Sequence, residues 1–127
     1  MADTPNAPAY AVFNTGTRSK KYTWAMSGVS TGVPIPMSDW SDRTMQIFGT
    51  WGSATLVWQG SNDDRADPSH ASYASSVWVT LTDTTETALS FTANDGAQIL
   101  QKYQWCRPIT TGGTSTAVTA TLNVGKQ

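Results

Sequence analysis

The chain has 127 residues and a formal net charge of −1, with eight Lys and Arg against nine Asp and Glu. That length suits one domain, excludes two comfortable ones, and suffices to bury a proper core. So sparse a charge argues against nucleic-acid binding by phosphate neutralisation, which needs a clustered basic face; Arg18, Lys20 and Lys21 read as a solvated edge.

Twenty Thr and 13 Ser stand against one Glu and five Leu. Helix surfaces favour Glu, Lys, Ala and Leu, which lose little entropy there, whereas Thr, Val, Tyr and Trp suit a pleated, half-buried surface. The composition predicts an all-β domain. No apolar run approaches the ~20 residues of a membrane span. The N-terminus lacks the basic start and apolar stretch of a signal peptide. The lone Cys106 allows no intrachain disulfide. The expectation is a chain made and folded in a cytosol.

In chain order, residues 1–17 hold Pro5, Pro8, Asn6, Asn14 and Gly16 without periodicity. They read as an extended arm, with its boundary at residue 20 and a single domain over 21–127. Tyr22, Trp24 and Met26 alternate with Thr23 and Ala25 as a first strand. Residues 28–41 carry Gly32, Pro34 and Pro36, which forbid a central strand and leave a loop or irregular edge. Residues 44–58, TMQIFGTWGSATLVW, then read as a β-hairpin. Met45 and Ile47 alternate on one arm, Leu56 and Trp58 on the other, with Trp51-Gly52-Ser53-Ala54 as the turn.

Residues 60–72, GSNDDRADPSHAS, form a polar loop long enough to be functional or mobile. Residues 75–82 are predicted as a strand with Val77, Val79 and Leu81 on one face, and 88–93 as another with Leu89 and Phe91 inward. Asn94-Asp95-Gly96 is a turn signal. Residues 97–102 suit a short strand or an irregular turn, and 105–110 a strand whose Pro108 places it at an edge or bulge. After the TGGTS turn, Val118, Ala120, Leu122 and Val124 alternate with Thr119, Thr121 and Asn123. Seven or eight short strands at this spacing predict an antiparallel β-sandwich or jelly roll with an extended N-terminal arm.

No reactive constellation stands out. His70 has Asp64, Asp67 and Ser69 near it in sequence, but polar loops carry these types by default. Cys106 reads as a small buried apolar residue, because a strand sends adjacent Arg107 to the opposite face. Asn62, Asp63, Asp64 and Asp67 could offer oxygens to calcium, yet they lack the spacing and sharp-turn glycine of a calcium loop. No cofactor or metal is expected. Trp24, Trp58 and Trp78 are assigned to the core. Trp40 and Trp51 are expected to be partly exposed and available to stack on a sugar or anchor an interface.

The motif order GTWGSATLVWQGSNDD, VWVTLTD, ALSFTANDG, Tyr103-x-x-x-Arg107-Pro108 and TGGTSTAVTATL resembles a family of small tailed-bacteriophage virion proteins of the head decoration, or cement, type. The likeness covers residues 44–124. It implies a sandwich or jelly roll on the capsid exterior, made in the host cytoplasm. Such a protein would assemble as a homodimer or homotrimer and link neighbouring subunits of the major capsid protein. Residues 1–20 and the loop 33–40 would then contact capsid, with Tyr10, Phe13, Val33, Ile35, Trp40 and Trp51 as interface candidates and loop 60–72 pointing outward. Two departures are about ten extra residues between Asn62 and Trp78, and Trp105-Cys106 in place of a plain aliphatic pair. The first 43 residues match nothing in the family pattern.

Two rival classes remain. LVWQGSNDD followed by a Trp-x-x-Leu strand also looks like part of discoidin-type carbohydrate-binding jelly rolls, with Trp40, Trp51 and Tyr73 as sugar-stacking candidates. A tail, baseplate or head-fibre component is the other. An enzyme such as a glycosidase would need two facing carboxylates, and the sequence nominates no pair.

Overall fold

The computed structural model describes residues 7–16, 18–38 and 40–125. Two antiparallel sheets pack face to face as a β-sandwich. The first has strand order β1 (Tyr10–Gly16), β2 (Ser19–Ser27), β11 (Ala117–Gly125), β5 (Asp42–Thr50) and β9 (Asp95–Gln98). The second is built on β6 (Ala54–Ser61) and β10 (Trp105–Gly112). Two-residue strands finish its flanks: β3 (Ser30–Thr31) and β4 (Ile35–Pro36) beside β10, β7 (Val79–Thr80) and β8 (Ser90–Phe91) beside β6. Among the described residues no helix is long and apolar enough to cross a membrane.

Period-two alternation explains the layering. Tyr22, Trp24 and Met26, then Val118, Ala120, Leu122 and Val124, are buried as predicted, while Thr23, Thr119 and Thr121 face outward. Trp24 and Trp58 meet across the core edge to face at 5.6 Å, and both are fully buried. The Trp24 indole N–H donates to the Val33 carbonyl at 3.0 Å, so its polar atom is matched.

Five expectations need correction. Residues 44–58 do not form a hairpin: β5 belongs to the first sheet and β6 to the second. The turn itself has hairpin character, with Ala54 N–H donating to the Trp51 carbonyl at 2.9 Å and positive φ at Gly52 and Ser53. The arms part because β5 finds partners in β11 and β9 and β6 finds one in β10. Met45 and Ile47 thus face Leu56 and Trp58 across the core. Alternation cannot distinguish that arch from a hairpin.

The expected arm is also partly sheet. Residues 10–16 pair with β2 from Tyr10↔Trp24 to Gly16↔Ser19, with a bulge between Asn14 and Gly16; residues 1–6 lie outside the described residues. Pro108, expected at an edge or bulge, sits between two neighbours. Trp58, its partner on β6, turns its backbone toward Leu81 and Leu89, so the Pro108 backbone faces β3 and β4. Its carbonyl accepts from Gly32 at 2.9 Å, and its missing N–H falls in the gap between those two short strands. Finally, the predicted strand 75–82 shrinks to Val79–Thr80. Val77 and Val79 stay 62% and 43% exposed, and only Leu81 of that set is buried. The predicted turn at 94–96 opens into β9, and Ile99 beyond it is buried.

Candidate interaction surfaces

A sheet edge presents unpaired backbone groups, and proteins usually blunt it with short strands, prolines or charge. Three of the four edges here follow that rule. β9 has four residues and carries Asp95, β3 and β4 are broken around Pro34 and Pro36, and β7 and β8 have two residues each. β1 differs. Its seven residues, YAVFNTG, contain no charge and no proline, and no described strand covers its outer side. Val12 is 45% exposed and Phe13 51%, and the Lys21 ammonium lies 5.2 Å from the Phe13 ring.

The outer face of the first sheet is mostly polar, with Phe13 and Phe48 exposed on it. Ala11, Thr23, Thr121, Gln46 and Gly96 form one cross-strand row, and Phe13, Lys21, Asn123, Thr44 and Gln98 the next. A groove of about 430 Å³ runs over Lys21, Thr44, Gln46, Gly96, Thr121 and Asn123.

The outer face of the second sheet carries a cluster around Arg107. Cross-strand pairing sets Arg107 opposite Gln59, whose Oε1 accepts from Nε at 3.0 Å. Nη1 donates to the Tyr73 hydroxyl at 2.9 Å, and the guanidinium lies 3.9 Å from the Trp78 ring centroid. Arg107 thereby ties the long loop to the sheet. That loop is ordered by its own hydrogen bonds. Asp63 accepts from Arg65 N–H at 2.9 Å, from the Arg65 guanidinium at 2.8 Å and from Val77 N–H at 3.0 Å. The Ser61 hydroxyl donates to the Val77 carbonyl at 2.6 Å. The Arg65 side chain, then the backbone donors, hold the Asp63 carboxyl well below the usual carboxylate range. Hydrogen bonds from Ser69 lower Asp67 in the same way.

The sequence candidates scatter. Phe13 is exposed, but Ile35 is fully buried and Trp40 only 9% exposed. Both leave little or no surface for a partner, because β4 turns Ile35 inward and Trp40 folds into the core cluster. Tyr10 packs edge to face on Tyr22 at 5.3 Å. Val33 is half-buried, its N–H held by the Pro8 carbonyl at 3.0 Å and its own carbonyl by Trp24. Trp51 is half-buried, its indole N–H on Asn94 Oδ1 at 2.8 Å. Of the sugar-stacking candidates, Trp40 is buried and Trp51 packs against the core. The Tyr73 hydroxyl is engaged by Arg107. Trp78, assigned to the core, lies half-buried against Arg107 instead. Sequence reasoning missed the Arg107 cluster, whose members are far apart in the chain. Their one signal was Gln59 and Arg107 at outward positions of two strands.

His70 accepts the Ser72 N–H at Nδ1, 2.9 Å away, as a local turn device. Cys106 is fully buried, and burial pushes its thiol up to about 12, the opposite of nucleophile activation. Among the described residues no three His, Cys, Asp or Glu side chains group as metal ligands. Arg43 is buried with its Nη atoms on four backbone carbonyls, those of Trp40 at 2.7 Å, Ser41 at 3.2 Å, Ile99 at 3.3 Å and Leu100 at 3.0 Å. Burial lowers its pKa, and it acts as a clamp on the rim of β5.

No protein-family model matches the chain, and no curated protein sequence matches it. Among solved structures, the SPBc2 prophage-derived protein YomS shares the fold. The TM-score is 0.59 at 13% identity, over 90% of this chain and 100% of that one. A cupin domain from Bordetella pertussis Tohama I aligns with a TM-score of 0.43 and 14% identity, over 98% of this chain and 100% of that one.

Proposed function

We propose that this chain is a non-enzymatic structural protein of a tailed-phage virion, a decoration protein that binds the outside of the head and links capsid subunits. The observation that carries the reading is the β1 edge: long, uncharged and free of proline, with Val12 and Phe13 exposed. Such an edge is a template for a strand from another chain, with main-chain hydrogen bonds giving affinity and alternate side chains giving specificity. Symmetry-repeated weak contacts of this kind sum to tight attachment on a shell. The likeness of fold to a prophage-derived protein and the motif order over 44–124 support the phage setting.

Immunogold labelling of source particles tests it. Dense label over heads is the expected result. Label confined to tails would keep the virion and discard the decoration role, and bare particles would reject both. A homodimer or homotrimer with its axis on a capsid symmetry axis is the assembly this role calls for.

A further inference from the structure

The three arginines engaged in contacts within the described fold are neutralised very differently. Arg43 rests on four backbone carbonyls, and Arg65 pairs with Asp63 at 2.8 Å. Arg107 has only two neutral acceptors, the Gln59 amide oxygen and the Tyr73 hydroxyl, and no carboxylate pairs with it among the described residues. Its Nη2 donates to no described atom. A half-buried cation without an anion is poorly compensated, and stacking on Trp78 at 3.9 Å holds its planar fork in place. Tyr73, having accepted from Arg107, keeps its own hydroxyl proton to donate.

We infer that Arg107 and Tyr73 form a receptor for a carboxylate side chain of a partner polypeptide, a second docking point on the sheet opposite β1. The guanidinium donates from Nη2 and the phenol donates its proton to the same anion. Arg, Trp and Tyr are the residue types that dominate interface energetics. A protein carboxylate suits the site better than a stacked sugar, because Arg107 occupies a face of the Trp78 ring. The identity of the partner as a capsid subunit rests on the decoration reading: a protein that links neighbours needs contacts on more than one surface.

The test is binding of the full chain to purified heads stripped of it, over a range of salt, together with titration of a Glu-rich peptide followed by the Arg107 Nε–H NMR signal. Arg107→Gln should weaken head binding about tenfold and flatten its salt dependence. Tyr73→Phe, which leaves the stack intact, should weaken it about threefold. Arg107→Lys, which keeps the charge and loses the fork, should fall between wild type and Arg107→Gln. Thermal melts of each variant separate lost binding from a loosened loop. Wild-type binding that all three variants share unchanged would overturn the receptor and leave decoration standing. No binding to heads, with a saturable Nε–H shift from the peptide, would reject decoration and retain the carboxylate receptor. Neither head binding nor a shift overturns both.

Discussion

The two sheets reach the same architecture by different means. In the first, β2, β5 and β11 each run nine residues, and β11 pairs along its whole length with both neighbours. In the second only β6 and β10 are long, and the flanks are two-residue strands held by turns and side chains. Among the described residues no strand or loop covers the outer face of the first sheet or its β1 edge. The second closes its edges with prolines and short pieces and covers its outer face with a hydrogen-bonded loop pinned by Arg107. Regular pairing therefore coincides with the exposed template at β1, and irregular pairing with a sculpted polar cluster. A strand propagates only as far as a neighbour runs beside it. That is why the alternating stretch 75–82 yields two strand residues while 117–125 yields nine.

That contrast can be broken at several points. The largest effect is expected where the sheets meet: Trp24→Ala removes a fully buried ring packed on Trp58 and should cost about 3–5 kcal/mol in denaturant unfolding. Next is the arch between the sheets. Gly52 has φ +55°, and a Cβ there would run into the Thr114 carbonyl oxygen. Gly52→Ala should destabilise by about 1–3 kcal/mol, measured the same way, because backbone and not a flexible side chain must yield. At the open edge, the Val12→Lys, Phe13→Lys pair should abolish head binding while changing unfolding free energy by no more than about 0.5 kcal/mol per site, the range of exposed substitutions. Retained head binding by this variant would remove β1 as the docking edge.

The smallest effect belongs to the covering loop and depends on pH. Asp63 and Asp67 have folded pKa values below their unfolded ones, because hydrogen bonds favour the charged form. Their contribution is present above the unfolded value of about 4 and is lost as pH falls through the folded values. Limited proteolysis within residues 62–78 should therefore quicken in strong acid, before the core unfolds. Asp63→Asn should show the same loosening at neutral pH. A loop equally resistant in both cases would mean that Arg107 alone holds it.

Much of the sandwich was legible in the residues, because alternation, turn glycines and prolines act locally. The buried sets on β2 and β11, the apolar faces at 45–47 and 56–58, and the burial of Cys106 all follow from period two. What alternation leaves open is which strands are neighbours. The partners of β5 and β6, the pairing of residues 10–16, the place of Pro108 beside a broken edge and the burial of Ile35 and Trp40 depend on distant segments. The Arg107 site draws Gln59, Tyr73, Trp78 and Arg107 together over as many as 48 positions of chain. The amino-acid sequence by itself determined an all-β chain with its inward and outward faces, since each side chain's preference for water or core is its own property. Only the tertiary structure decided which edge stays open and which arginine is set between a glutamine, a tyrosine and an indole ring, since both depend on what the rest of the chain brings alongside.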